Sequence, residues 1–300
     1  MEARALSIND LITSLDRTHP VLIAGPTASG KSSLAMEIAQ HMGGAIINAD
    51  ALQVYADWRV LTARPSIEDE VALPHLLYGH VPGDQSYSVG DWLRDLKPLL
   101  AGPPPVIVGG TGLYFAALTE GLAEIPETPA EIRSLAMERL ETAGLGSLLS
   151  ELDEETASRI DTQNPMRVQR AWEVLQATGR GLAAWQDETA SPLLPLDKVQ
   201  PLVLNAPKEW LTPRIERRFD LMLEEGALEE ARLNEPGWHP GLPSAKAIGA
   251  SELIAYVRGE IELEDAKEAA TIATRQYAKR QRSWFRSRMK DWRWVEASEL

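Results

Sequence analysis

Residues 25–32 read Gly25-Pro26-Thr27-Ala28-Ser29-Gly30-Lys31-Ser32, directly after the apolar run Val21-Leu22-Ile23-Ala24 and directly before the helix-forming stretch Ser33 to Ala39. Strand, glycine-bounded loop and helix in that order fit the phosphate loop G-x-x-x-x-G-K-[ST], whose N–H groups and helix N-terminus point at anionic oxygens. Lys31 is placed to neutralise the outer phosphates and Ser32 to hold Mg²⁺. Phosphate chemistry is therefore the first expectation. Which molecule is held, and which bond breaks, must be read from the rest of the chain.

Further short apolar runs follow at helix-length spacing: Ala45 to Asp50, Pro105 to Gly110 and Pro201 to Ala206. Their spacing suggests βαβ units and a parallel sheet. Between about residues 123 and 200 the pattern turns helical without strand signals. There Asn164-Pro165 offers a cap and a first-turn proline, and Gly179 a stop. The Pro-rich stretch Ser191 to Pro195 reads as a return linker. Beyond it, Leu211 to Leu233 and Leu263 to Arg293 read as long helices broken at Gly226, Gly237 and Gly241. The expected fold is α/β: a P-loop NTPase-like parallel-sheet core over 1–122 and 201–300, with a helical insertion at 123–200 and a helical C-terminus.

A chain of 300 residues, 44% of them hydrophobic, is long enough for one α/β domain plus such an insertion. The absence of cysteine excludes disulfides and thiolate zinc sites. Met1 to Arg17 carries Glu2, Asp10 and Asp16 without an unbroken apolar core, unlike a secretory signal, and no window approaches a membrane span. A cytoplasmic protein with no membrane partner is expected. The net charge of −14 argues on its face against nucleic acid. Yet between Thr271 and Trp294 the residues Arg275, Lys279, Arg280, Arg282, Arg286, Arg288, Lys290 and Arg293 stand against the single acid Asp291. Such a run suits a face that meets a polyanion, and also a solvated basic helix.

Asp50 ends the second apolar run, so it sits beyond the carboxyl end of a strand, where doubly wound sheets gather their functional groups. Three roles fit it: a Mg²⁺ ligand, a general base, or the cap of a strand-to-helix turn. Gly109-Gly110-Thr111-Gly112 makes a second glycine turn on the same edge, built either for close approach to a ligand or for tight packing. The strand before it ends in Val108 and glycines rather than in an acid for Mg²⁺, which weakens a reading as an ATP hydrolase.

Together the loop Gly25 to Ser32, the segment Asp50-Ala51-Leu52-Gln53-Val54-Tyr55, Tyr87-Ser88-Val89, Gly109 to Phe115 and Thr271 to Arg286 resemble the bacterial tRNA dimethylallyltransferases, the IPP transferase family. The resemblance implies transfer of a dimethylallyl group from dimethylallyl diphosphate to N6 of adenosine 37 in tRNA. Diphosphate is then the leaving group, stabilised by the loop, Lys31 and Mg²⁺ on Ser32. Asp50 would accept the proton that the adenine nitrogen releases.

By the same resemblance Gly25, Pro26, Thr27, Ala28, Ser29, Gly30, Lys31 and Ser32 hold the donor, and Arg218 lies near the diphosphate unless it is simply a solvated helix arginine. Asp50, Ala51, Leu52, Gln53 and Thr111 face the target nucleotide. Arg133, Met166, Arg167, Val168, Gln169 and Arg170 in the insertion would grip the anticodon stem-loop, with Lys246, Ala247, Ile248, Gly249, Arg275, Lys279 and Arg280. The adenosine must be turned out of its stack to reach the donor. Trp284, Phe285, Trp292 and Trp294 could stack on unpaired bases or belong to the core. A monomer is the expected working form.

The chain departs from the family pattern in four places. Asp-Ser becomes Asp50-Ala51; Gly-Thr-Ala-Lys-Pro becomes Leu61-Thr62-Ala63-Arg64-Pro65; His-His-Leu becomes Pro74-His75-Leu76; and Asn-Asp becomes Asn164-Pro165. The rival readings are a P-loop small-molecule or nucleotide kinase, an isopentenyltransferase acting on free adenine nucleotides, and a non-catalytic NTP-gated RNA-binding protein.

Overall fold

A computed structural model describes residues 8–300. Of the N-terminal segment read against a secretory signal, residues 1–7 lie outside the described residues, and Ile8–Thr13 forms a short helix. No helix of the described residues is long and apolar enough to cross a membrane. The chain divides into two compact units, residues 1–119 with 193–300, and residues 120–192.

The first unit is a parallel sheet of β1 (Val21–Ala24), β2 (Ile46–Asn48), β3 (His75–Leu76), β4 (Val106–Gly109), β5 (Gln200–Asn205) and β6 (Arg293–Glu296), in the order β3-β2-β4-β1-β5-β6. The expected α/β parallel-sheet fold with a helical C-terminus is the one observed. Strands β1 and β4 are buried along their whole length, because helices cover both faces of the sheet. Alternate residues sort onto those faces. Val21, Ile23, Ile46, Val106, Val108, Leu202 and Leu204 pack with Leu34 and Ile38 of the helix Lys31–Met42 and with Leu211 and Ile215 of the helix Lys208–Glu224. On the other face Leu22, Ile47, Ile107 and Val203 pack with Trp92, Phe115, Phe285 and Trp292.

One expectation for the C-terminus is corrected. The helix that begins at Leu263 ends at Arg288, short of Arg293. Met289 and Trp292 turn into the sheet core, and Arg293–Glu296 then pairs with β5 as an edge strand. Of the two readings left open for the aromatics, Phe285 and Trp292 follow the core one, Trp292 meeting Phe115 edge-on at 5.4 Å between ring centroids. Trp294 is half-buried and donates Nε1–H to the Met289 carbonyl at 3.0 Å.

A smaller core within the same unit joins Trp58 and Leu61 to Phe219, Met222, Ala250, Leu253 and Ile254. Leu61, which stands where the family pattern has glycine, is buried there. Glu230 fixes the loop that carries it by accepting from the backbone N–H groups of Arg59, Val60 (3.0 Å) and Leu61 (2.9 Å). Replacing Glu230 with alanine strands three donors, and a loss of roughly 1–3 kcal/mol in unfolding free energy is expected. A urea titration of the variant checks it.

The second unit is helical, with Ala136, Leu148, Val168 and Trp172 as its core. Its helix Pro165–Thr178 starts at Asn164, whose side chain accepts from Met166 N and Arg167 N, and stops at Gly179 in the left-handed region. Val168 is fully buried in this core, which removes its side chain from any surface contact and corrects its placement among the tRNA-gripping residues. Arg133, Met166 and Arg167 are exposed, Met166 to 73%. Gln169 and Arg170 are tied internally, to Glu173 at 2.8 Å and Thr128 at 2.7 Å.

Candidate active site

Parallel register brings three turns to one edge of the sheet. Ala24 pairs with Gly109 and Asn48 with Val108, so the phosphate loop, the Asp50 turn and the Gly110–Thr111 turn leave side by side. Backbone bonds tie them together: Gly25 N to Gly109 O (3.4 Å), Ala49 N to Val108 O (2.8 Å) and Thr111 N to Ala49 O (3.2 Å).

The phosphate loop curls through left-handed backbone at Ala28 (φ 62°) and Gly30 (φ 88°), and the helix Lys31–Met42 begins immediately after it. Its first N–H groups have no partner within the helix and face the loop mouth. Arg214 braces the loop from outside, its Nε donating to Ala28 O at 3.2 Å. Ser29 Oγ is buried in the loop without a hydrogen-bond partner.

Lys31 and Arg218 converge on a cleft that Asp50 also lines. Burial and the nearby Arg218 guanidinium push the Lys31 ammonium down to about 8, against the opposing pull of Asp50. Arg218 is likewise lowered by burial and held up in part by Asp50 and Glu225. Lys31 and Arg218 share the Asp50 carboxylate and both stay below their ordinary values, so the cleft carries an excess of positive charge suited to an anion. Arg218 is thus half-buried in the cleft rather than a solvated surface arginine.

Asp50 does cap a turn. Its Oδ1 accepts from Leu52 N at 3.0 Å, while its own N–H donates to Asn48 Oδ1 at 2.8 Å. The other oxygen, Oδ2, lies beside Gly110, where a Cβ would come within 3.2 Å of it. Asp50 is the negative centre of the site, since its charge also raises Tyr78, Tyr114 and Tyr277, each already raised by burial. Thr111 Oγ1 accepts from Ala51 N at 2.9 Å, which fixes the segment after Asp50. Gln53 donates both amide hydrogens, to Thr62 O and Ala63 O at 2.9 Å each, leaving its Oε1 as acceptor.

Beyond the cations the cleft turns apolar, lined by Leu52, Leu61, Ile215, Phe219, Met222 and Ile248. Ala247 lines it too; Lys246 is exposed and Gly249 buried against Leu61 and Phe219. Arg275, Lys279 and Arg280 lie on the exposed side of the helix Leu263–Arg288, Arg275 paired with Glu216 at 3.5 Å. The glycines of the second turn answer to protein packing. A Cβ would strike the Ala49 carbonyl at Gly109, the Gln281 amide at Gly110 and the Trp284 ring at Gly112.

Sequence reasoning passed over Thr62, Phe219, Met222, Thr274, Tyr277 and Gln281, which also line the cleft. Tyr277 and Gln281 stand one helical turn apart in the segment whose positive charges drew attention, and that i, i+4 spacing was the available signal.

A phosphate loop at the carboxyl edge of a parallel sheet, with two cations and a carboxylate facing an apolar wall, defines an α/β phosphate-loop transferase. Model matches name the subclass: IPP transferase over residues 53–288 and isopentenyl transferase over 19–74. The tRNA dimethylallyltransferase of Cereibacter sphaeroides is 64% identical over 275 residues, covering 91% of this chain and 88% of the relative. Among solved structures, the tRNA delta(2)-isopentenylpyrophosphate transferase of Staphylococcus epidermidis superimposes with a TM-score of 0.64 at 31% identity, covering 94% of each chain. A eukaryotic dimethylallyltransferase captured acting on tRNA gives a TM-score of 0.75 at 26% identity, covering 93% of this chain and 73% of that one. The chain belongs to the IPP transferase family.

Proposed function

We propose that this chain transfers the dimethylallyl group of dimethylallyl diphosphate to N6 of adenosine 37 in the anticodon stem-loop of tRNA, releasing diphosphate. One observation carries the reading: Lys31 and Arg218 share a cleft with an apolar wall of Leu61, Phe219 and Met222, which suits a ligand that is a diphosphate at one end and a small hydrocarbon at the other. Family membership and the relatives' names support the same substrates. A kinase would leave the apolar wall and the basic C-terminal helix without a task.

The residues divide the work. Loop N–H groups, Lys31 and Arg218 hold the diphosphate and stabilise the charge that grows as the allylic C–O bond lengthens. Asp50 takes the proton from N6 as the C–N bond forms, its Oδ1 staying in the turn that aims the carboxylate. Thr111 keeps Ala51 and the Asp50 turn in place. Arg133, Met166, Arg167, Lys246, Lys279 and Arg280 are exposed and available to the RNA.

Mg²⁺ suits the donor set as an ion carried by the diphosphate. Ser32 offers one hydroxyl and Asp50 one carboxylate, and among the described residues no group of three acids or histidines could hold a metal alone. Bound with substrate, the ion neutralises charge on the leaving group. A single chain supplies the whole cleft, so a monomer is the proposed working form, and a tRNA substrate makes the cytoplasm the proposed location.

Dimethylallyl diphosphate is expected to raise the melting temperature more than inorganic diphosphate does, because its tail gains about 2 kcal/mol on the apolar wall. ATP that stabilises better than either, and is turned over, would favour the kinase. Binding also has a pH signature. Lys31 discharges above about 8 in the empty site, so donor affinity is expected to weaken by up to roughly tenfold per pH unit beyond that point. Isothermal titration from pH 7 to 9.5 checks it.

A further inference from the structure

Gln281 is buried on the helix Leu263–Arg288, only 5% exposed. Its amide spans two catalytic loops. Oε1 accepts from the phosphate-loop N–H of Thr27 at 2.9 Å, and Nε2 donates to the Gly110 carbonyl at 2.9 Å. Only one orientation of the amide satisfies both, since Thr27 N can only donate and Gly110 O only accept. Gly110 has no Cβ because Gln281 occupies that space. One turn earlier, the Tyr277 hydroxyl lies beside Thr111 and Gln281, and Thr111 in turn holds Ala51 N. A single face of one helix therefore ties the phosphate loop to the turns around Asp50 and Thr111.

We propose that Gln281 is a positioning residue for the transfer: it sets the spacing between the loop that holds the diphosphate and the turn that faces the adenine, and so the distance across which the C–N bond forms. This rests on the dimethylallyl-transfer reading. The glutamine lines the cleft with both ends of its amide committed to Thr27 and Gly110, and its effect passes through them. A neutral amide suits the task, because a charge there would add to the Lys31, Arg218 and Asp50 field, while an apolar side chain would leave a loop N–H and a carbonyl unmet.

The test compares wild type with Gln281→Met, which keeps length and volume, and Gln281→Glu, which keeps the acceptor for Thr27 but, when ionised, loses the donor to Gly110. Steady-state transfer to unmodified tRNA is measured beside thermal melting. Gln281→Met is expected to lose roughly tenfold or more in kcat, with KM for both substrates within about threefold of wild type and turnover normalised to folded protein. Gln281→Glu is expected to fall between the two. A merely structural glutamine would lower the melting temperature and leave turnover per folded molecule unchanged. That outcome overturns the inference, and so does loss of the folded state in both variants. No transfer by the wild-type protein would overturn the underlying reading instead.

Discussion

Asp50→Asn is expected to lower kcat for dimethylallyl transfer by roughly 10²–10⁴-fold, the range a positioned general base supplies. Asparagine keeps an oxygen for the Leu52 N–H and a side chain of the same size, so the turn survives and only the proton acceptor is lost. tRNA affinity should stay within about threefold of wild type, because the exposed cations proposed to meet the RNA, such as Lys246, Lys279 and Arg280, are untouched by the substitution. A second consequence separates base loss from misfolding. Asp50 is the anionic neighbour that holds Lys31 up. Removing it drives Lys31 below about 8, and the pH at which donor affinity begins to fall should move down with it. Single-turnover transfer together with calorimetric donor titrations across pH reads both effects; full activity in the variant would remove Asp50 from the base role.

Lys31→Ala carries the second large effect, a loss of about 10²–10³-fold in kcat/KM, comparable to removing one preorganised donor from a charged transition state. Its stability should move the other way. Lys31 is held below its ordinary value in the fold, so between about 8 and 10.5 the unfolded chain binds more protons, and this group's contribution to stability rises with pH over that window. Below pH 8 the charged, desolvated ammonium is at its most costly. At pH 7 the alanine variant is therefore expected to melt at or above the wild-type temperature without ligand, and to lose most of the stabilisation that diphosphate confers. Differential scanning fluorimetry with and without diphosphate separates the two. A variant that is inactive and also markedly less stable would mean that Lys31 is structural.

The parts of this architecture that the sequence announced are those where local pattern and tertiary role agree. Val21 to Ala24, Val106 to Gly109 and Leu202 to Leu204 are continuous apolar runs because both faces of the central sheet are covered. Asn164, Pro165 and Gly179 mark their helix because caps are local chemistry. The edge strands were hidden. His75–Leu76 has two residues, and Arg293–Glu296 is half-exposed and adjoins a basic helix whose charges overwhelm its alternation. Val168 reads as part of a surface motif but packs with Trp172 in the insertion core. Gln281 was hidden for a different reason: its two partners lie 254 and 171 residues away in sequence, and nothing about a neutral amide among arginines points to them.

The departures from the family pattern have structural counterparts. Leu61 fills the small core behind the cleft and its side chain approaches Gly249, where a Cβ would lie 3.0 Å from it. Arg64 donates to the Tyr55 and Ala56 carbonyls, so the exchanged cation braces the loop around Gln53. Ala51 keeps its backbone N–H on Thr111 without the hydroxyl of the usual serine.

The proposed reaction leaves diphosphate in the phosphate loop while its carbon chain passes to RNA. The most direct measurement incubates the purified chain with Mg²⁺, dimethylallyl diphosphate and unmodified tRNA, then digests the RNA and identifies its nucleosides by mass spectrometry. Adenosine carrying one added five-carbon unit on N6 is expected, formed with an equal amount of diphosphate and without any requirement for ATP. Unmodified adenosine accompanied by ATP turnover would contradict it.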